Sequence, residues 1–585
     1  MAPASRLLLA ALLAGPTLLA CTRPGPVARP PDALVAPAAP PVVRAVSSSL
    51  QIRLSPRLDP SPALDVEMLA RGLTSAVWEI PALAGVEVVD LTLRDDAGDI
   101  AFGTGRAGHV LRITPGRAVT GALRIRYTVK RTWDDAAALD EAAALLLLRI
   151  DRERVLAAGE QVLLLPATLP AAPVELSLTI EPAGELRLAT SLGLAAPRRL
   201  SLAELRHAAI LIGRLGHAEF RGPGGEDDFA WAGETRFDPR WAAAETAGAR
   251  TAVDAYFGAE PNETARFTGL FAVDVEFPGE EGALVVPRSG GLYVALSPGA
   301  KWDAVTRLAI AQGLVHRWLG GRLRLREHPG DPPEAGAWFD AGVARFVARE
   351  VLWSLGTLST EDYATEINAH LAEVTTSPLR RADNAAVAVA AAGGDADAHA
   401  LLVARGVLIA TRLDAMFRER HAGERSLQSV LRALVAAARR DDVRELSLAA
   451  LLEHITVELG AGEVAGVRGM LAGGIPVLPA AALGACFTRG PRTYVRFDPG
   501  FDVVASRAGQ IRGLRANGPA ARAGVREGET VVSLAATSRD PHQPLELTLE
   551  RDGQPILVTY RPIGASGRGE AWRRRQGADE STCPR

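Results

Sequence analysis

Alternating apolar and polar positions dominate the chain from about 43 to 195. Leu50–Pro56 (LQIRLSP), Val86–Asp95 (VEVVDLTLRD), His109–Pro115 (HVLRITP), Gly121–Val129 (GALRIRYTV), Gln161–Ala167 (QVLLLPA) and Val174–Pro182 (VELSLTIEP) are short alternating runs split by Gly, Pro and Asp. A period of two predicts strands with one buried face. One Ala/Leu-rich run, 134–148, predicts a helix within them. The period changes after about 200. Ser201–Leu215 (SLAELRHAAILIGRL) begins with an N-capping Ser and predicts a helix, as does 238–258. From 300 to 471 nearly everything has helical spacing, including 302–320, 337–356, 360–374, 400–421 and 426–440. The small-residue stretch 382–400 (ADNAAVAVAAAGGDADAHA) predicts a loop between helices. Strand spacing returns in 493–506, 510–534 and 544–562, and the residues after Gly564 read as a tail. The expected architecture is multidomain α+β: a β-sandwich-like N-terminal domain (44–200), a mainly helical domain (201–475) and a small C-terminal β module (483–565), with 566–585 trailing.

Composition changes this picture little. With 585 residues, 48% hydrophobic, 23% charged and a net charge of −3, the chain is globular and long enough for several cores. Nothing in its charge favours a nucleic-acid partner. The N-terminus adds more. Arg6 precedes an apolar run ending in Leu18-Leu19-Ala20-Cys21. The run is too short to span a bilayer and reads as a secretory leader. Its end resembles the bacterial lipobox, which implies lipidation at Cys21 and a place in the cell envelope, at the outer membrane or the periplasmic face. Residues 22–43, rich in Pro and Ala, then form a semi-stiff tether. The other two cysteines, Cys486 and Cys583, bracket the last globular segment. In an exported protein they form either a bridge or two free thiols.

Within the C-terminal module, Gly518-Pro519-Ala520, Ala523-Gly524-Val525 and Gly528-Glu529 resemble the PDZ domain. That family binds extended peptides by strand addition and receives a terminal carboxylate on loop amides. The resemblance implies a peptide site at Pro499, Gly500 and Phe501, with Phe501 lining a side-chain pocket and Val503 in the strand that follows. A PDZ fold used only for packing is the alternative.

Ala311–Arg324 (AQGLVHRWLGGRLR) carries the main chemical signal. A zinc hydrolase helix needs two imidazoles one turn apart, a Glu beside the first as general base, and a third ligand from another element. Here only His316 is of the right type. The stretch nonetheless resembles the zinc helix of the glycyl aminopeptidase family (metallopeptidase family 61), which runs H-E-x-x-H-x-W-x-x-x-R-L-R. His316, Trp318 and Arg322-Leu323-Arg324 match. That family joins a β N-terminal domain, a thermolysin-like helical domain and a PDZ domain, the order read above. The resemblance implies a first ligand at Gln312, a general base at Gly313 and a third ligand at Ala341, within Trp338–Phe346 (WFDAGVARF). It also implies a transition-state tyrosine at Val403, before Arg405-Gly406, and substrate-amine residues at Val285 and Val286. Each of these positions holds a residue without the required chemistry. Asp340, one residue from Ala341, turns about 100° away on an α-helix. Asp340, Glu327 and His328 are the candidates for a relocated site around His316. Other histidines, such as His370, His399, His421 and His454, lack ligand spacing and read as surface or loop residues.

The expectation is a lipid-anchored pseudopeptidase without a metal or other cofactor, binding peptides or envelope proteins through the old cleft, the PDZ groove or both. An active metallo-aminopeptidase with a relocated metal and a structural envelope scaffold are the alternatives.

Overall fold

The Leu50, Ile52 and Leu54 side chains of strand Ser49–Arg57 all point to one face and are fully buried. The same alternation in Ala63–Arg71 and Leu123–Arg131 builds a seven-stranded sheet around it. Two further sheets, of five and four strands, share its core through Trp78, Ile113, Val155 and Ile212. In this computed structural model the described residues are 48–578 and 583, apart from 82–85, 109, 132–147, 182–183, 195–197, 223, 261–265, 275–281, 329, 507–508 and 536–539. The leader, Cys21, the tether and nearly all of the helical run predicted at 134–148 lie outside them. No helix among the described residues is long and apolar enough to cross a membrane.

The N-terminal β region runs further than expected. Ser201–Leu215 is not one helix. A short helix, Leu202–Arg206, capped by Ser201, gives way to strand Ala209–Gly213, which pairs with Arg154–Ala158. Ile210 and Ile212 enter the N-terminal core while Leu211 faces the next sheet, a period of two inside an apparently helical run.

The next domain is not mainly helical at its start. It opens with a five-stranded sheet ordered 216–222, 225–232, 266–273, 291–296 and 283–288. The last of these is an antiparallel edge strand, paired with Gly291–Leu296. Helices Pro239–Phe257 and Ala304–Val315 cover this sheet, and Ala344–Ser354, Thr360–Thr376 and Ala396–Arg420 complete the core. The stretch predicted as a loop at 382–400 contains helix Asn384–Ala392, capped by Asp383 and anchored by the buried Val387 and Ala388, and then the start of Ala396–Arg420.

The expected tail is also a structured element. Ile563–Arg574 is a strand laddered along the whole of Phe487–Phe497. Asn368 of helix Thr360–Thr376 holds both backbone groups of Trp572, at 2.8 Å each. Cys486 and Cys583 are joined by a disulfide that closes a loop of 97 residues. A loop of that length contributes about 4–5 kcal/mol in the chain-entropy account. In the C-terminal module a three-stranded sheet, 530–535, 545–551 and 554–560, surrounds Phe501, Ile511, Leu547 and Leu549.

Candidate functional site

Helix Ala304–Val315 is capped by Asp303, whose carboxylate accepts from Thr306 N at 3.0 Å, and it ends at His316. A glycine inside a helix costs about 1 kcal/mol relative to alanine. Gly313 is explained by its neighbour: a Cβ there would meet Val285 Cγ1 at 2.4 Å. The missing side chain lets edge strand Ala283–Arg288 press against the helix. The position implied for the general base is therefore filled by the position implied for substrate recognition.

The three positions implied as metal ligands do converge, joined by a chain of neutral hydrogen bonds. His316 Nδ1 lies 3.2 Å from the Leu319 carbonyl. A carbonyl only accepts, so Nδ1 carries the proton and Nε2 is the acceptor. Nε2 lies 3.4 Å from the Gln312 amide nitrogen, which also donates to the Ala341 carbonyl at 3.4 Å. Gln312 Oε1 accepts from Arg345 Nη1 at 3.3 Å, and Arg345 forms a two-pronged pair with Glu366 at 2.6 and 3.0 Å. His370, expected at the surface, is largely buried and hydrogen-bonds Glu366 at 2.9 Å. Burial pushes the Glu366 carboxyl up, but His370 and Arg345 outweigh it and hold it well below the usual range. Burial pushes the His316 imidazole down, against the raising effect of the Leu319 carbonyl.

This donor set fits a zinc ion poorly. It offers one imidazole lone pair, already facing an N–H, and an amide oxygen already accepting from a guanidinium. Ala341 adds no side-chain donor, and the fixed positive charge of Arg345 reaches the same point. Val403, half-buried, borders the Ala341 segment through its carbonyl, 2.7 Å from where a Cβ on Gly342 would sit. Arg405 is buried and donates to Asn384 and to the Arg380 and Ala382 carbonyls, holding the chain between two helices.

Asp340 departs from expectation. Trp338–Val343 is a π-helical turn, so the 100° step of an α-helix does not apply. The Asp340 carboxylate accepts from Leu325 N at 3.0 Å and shares one cavity with His316. A Cβ built on Gly320 would meet His316 Nδ1 at 3.3 Å and Asp340 Cβ at 3.5 Å. Burial pushes the Asp340 carboxyl up to about 6, against Leu325 N–H, Arg324 and Arg326. The cavity, about 670 Å³, lies between the end of the edge strand at Pro287–Ser289 and the turn at Gly320-Gly321. Glu327 accepts from Trp338 Nε1 instead of folding back on His316, and the His328 backbone N–H donates to the Asp331 carboxylate.

In the C-terminal module Phe501 is 3% exposed and sits in the core. Val503 starts a helical turn, Val503–Ser506, and not a strand. Gly500 takes a φ of +91° against the backbone at Ala520, and its N–H is engaged by Asp498 at 2.7 Å. The Pro499 carbonyl accepts from Tyr560 OH at 2.7 Å.

Sequence reasoning passed over Arg345 and Glu366 and read His370 as a surface or loop residue; the i, i+4 spacing of Glu366 and His370 on one helix was the available signal. Among the described residues one further group of metal-capable side chains converges, His217, Glu219 and Asp228 on the 216–222/225–232 hairpin. Arg198 and Arg266 already offset Asp228 there.

No protein-family model matches the chain, and no curated protein sequence does. Solved structures do. An aminopeptidase N family protein from Idiomarina loihiensis superposes with a TM-score of 0.64 at 13% identity, over 89% of this chain and 98% of its own. An M1 zinc metallopeptidase from Deinococcus radiodurans follows with a TM-score of 0.46 at 15% identity, over 74% of this chain and 95% of its own. Yeast LTA4 hydrolase has a TM-score of 0.42 at 11% identity, over 74% of this chain and 68% of its own. The chain shares its fold with that aminopeptidase N family protein.

Proposed function

We propose that the chain is a non-catalytic relative of the zinc aminopeptidases, akin to the glycyl aminopeptidase family in its order of domains, and that its cleft binds peptide or protein segments. The observation that carries this reading is the Gln312 amide. It bridges His316 Nε2, the Ala341 carbonyl and the Arg345 guanidinium where a metal centre requires open donors. With Gly313 and Val403 at the base and oxyanion positions, little remains to lower a hydrolytic barrier. The envelope setting belongs to the same proposal: Cys21 carries the lipid, residues 22–43 lift the body from the membrane, and the C-terminal module is a PDZ-like domain. Because Phe501 is buried and the Gly500 N–H is engaged, the cleft is favoured over that module as the binding surface.

The test is metal content and peptidase activity of the purified protein after incubation with zinc. The expected result is substoichiometric zinc and no cleavage of Gly- or Ala-terminated substrates. Stoichiometric zinc with chelator-sensitive cleavage would falsify the reading. Lipidation is checked separately by metabolic palmitate labelling, expected to disappear in Cys21→Ser.

A further inference from the structure

The cavity beside His316 has a one-sided lining. Arg288, Arg317, Arg324, Arg326 and His207 reach its wall, and Asp340 is its one acidic residue among those described. One oxygen of Asp340 is already committed to Leu325 N. The cations differ in how far they are matched. Arg326 pairs with Glu445, and Arg317 lies 3.9 Å from Asp254 beneath the wall. Arg288, its side chain 7% exposed, shares the single carboxylate of Glu160 with His207. Arg324, an exposed residue, makes no ion pair within 4.0 Å among the described residues; its Nε donates to the Gly320 carbonyl, and Asp340 feels its charge.

From this imbalance we infer that the cavity receives an oxyanion, the carboxylate of an acidic peptide or a phosphate, held by Arg324 and Arg288. For the peptide ligand, this rests on the binding role proposed above. A guanidinium presents paired N–H groups that match both oxyanions, and a partly desolvated wall strengthens the attraction. At about 670 Å³ the space suits a short peptide and exceeds what a bare ion needs. Gly320 and Gly321 keep the wall thin: a Cβ on Gly321 would meet the His316 carbonyl at 2.5 Å.

The experiments are fluorescence anisotropy on the purified full chain, with a labelled, C-terminally amidated tripeptide of Glu and its Gln counterpart, and calorimetric titration of the same protein with inorganic phosphate. The acidic peptide is expected to bind about tenfold or more tighter than the Gln peptide, with the preference shrinking as salt rises. Arg324→Gln is expected to remove about tenfold from the acidic peptide's affinity and nothing from the Gln peptide's. Arg288→Gln should act in the same direction; should burial of its partner Glu160 unfold that variant, the exposed Arg324→Gln decides alone. Equal binding of the two peptides, unchanged by Arg324→Gln, overturns the anion inference and leaves the peptide-binding reading standing. Phosphate binding that is lost in Arg324→Gln, with no binding of either peptide, supports the anion site and overturns the peptide reading. No binding of any probe overturns both.

Discussion

Helix Ala304–Val315 and the turn after it have two faces that obey different rules. On the back, Trp318 stacks on Phe257 at 5.4 Å and donates to Asp254 at 3.1 Å. Asp254 and Asp227 hold Arg250, which is 1% exposed, and the Arg317 guanidinium lies over the Phe267 ring. On the front, an amide, a glycine and a neutral imidazole meet an edge valine and one guanidinium. The back is a set of charges of both signs removed from water together, which lowers the cost of burying each. The front is neutral apart from Arg345 and small. Of the residues that make the resemblance to a zinc helix visible, Trp318 serves the back, whereas His316 stands on the front and Arg324 lines the cavity. Trp318 is demanded by packing, and packing persists whether or not the front carries out any chemistry.

Breaking the back should therefore have the largest effect. Asp254→Ala strips Arg250 and Trp318 of a partner and leaves a buried guanidinium short of compensation. It is expected to lower stability by about 3–5 kcal/mol, read from the chemical denaturation midpoint. Gln312→Ala on the front should lose less than about 1.5 kcal/mol. A loss at Gln312 equal to that at Asp254 would erase the distinction between the faces.

The next effect concerns why the front is small. Gly313→Ala gains about 1 kcal/mol in helix propensity, yet its Cβ falls 2.4 Å from Val285 Cγ1. Overpacking of this kind costs about 1–3 kcal/mol, so the variant should be less stable than the parent. Val285→Ala should relieve the clash, making the double variant more stable than the two single losses predict. Additive losses would mean that the edge strand does not bear on the helix.

A third effect sits where the front opens into the cavity. The Asp340 carboxyl is held up at about 6, so the folded protein takes its proton more readily than the unfolded chain, where an aspartic acid titrates near pH 4. Stability from this group is thus present below about pH 4 and is lost as pH rises toward 6 and above. Asp227 is also pushed up to about 6 by burial, chiefly against Arg250, and acts in the same direction. Comparing the parent with Asp340→Asn cancels that shared contribution. Between pH 4 and 7 the parent should lose about 1–2 kcal/mol relative to the variant. Parallel curves would place Asp340 in ordinary solvent.

The two faces also explain what the chain's sequence discloses. Of the back, Trp318 was legible, through the resemblance to a zinc helix. The small or neutral side chains at Gln312, Gly313 and Ala341 were legible too, since that needs only the residue names. What they contact was not. Arg345 reaches Gln312 from another helix, and nothing local marks that contact. Asp340 enters the cavity because Trp338–Val343 winds as a π-helix, a register that periodicity does not record. The same limit acts on the fold. Ile563–Arg574 buries mainly Ala571 and Trp572 along an otherwise polar ladder, so it lacks the apolar alternation of a strand. Asn384–Ala392 is built from residues small enough to resemble a loop. Val503 was misplaced because a family outline supplies a motif, whereas the local turn decides which element the residue starts.

The smallest expected effect is the most informative about chemistry. His316→Ala removes an imidazole whose contacts are a 3.2 Å bond to the Leu319 carbonyl and a long 3.4 Å contact to Gln312. Exchanging such neutral bonds for water is worth about 0.5–1.5 kcal/mol each, so the loss should be of order 1 kcal/mol. A histidine that ligates a structural metal is different in kind, since metal binding there is worth about 10 kcal/mol or more of folding free energy. The parent should accordingly melt at the same temperature with zinc or with chelator, and so should His316→Ala. A chelator-dependent shift in the parent that vanishes in His316→Ala would mean that the imidazole still holds a metal, and that the front face has kept more of its chemistry than its residues imply.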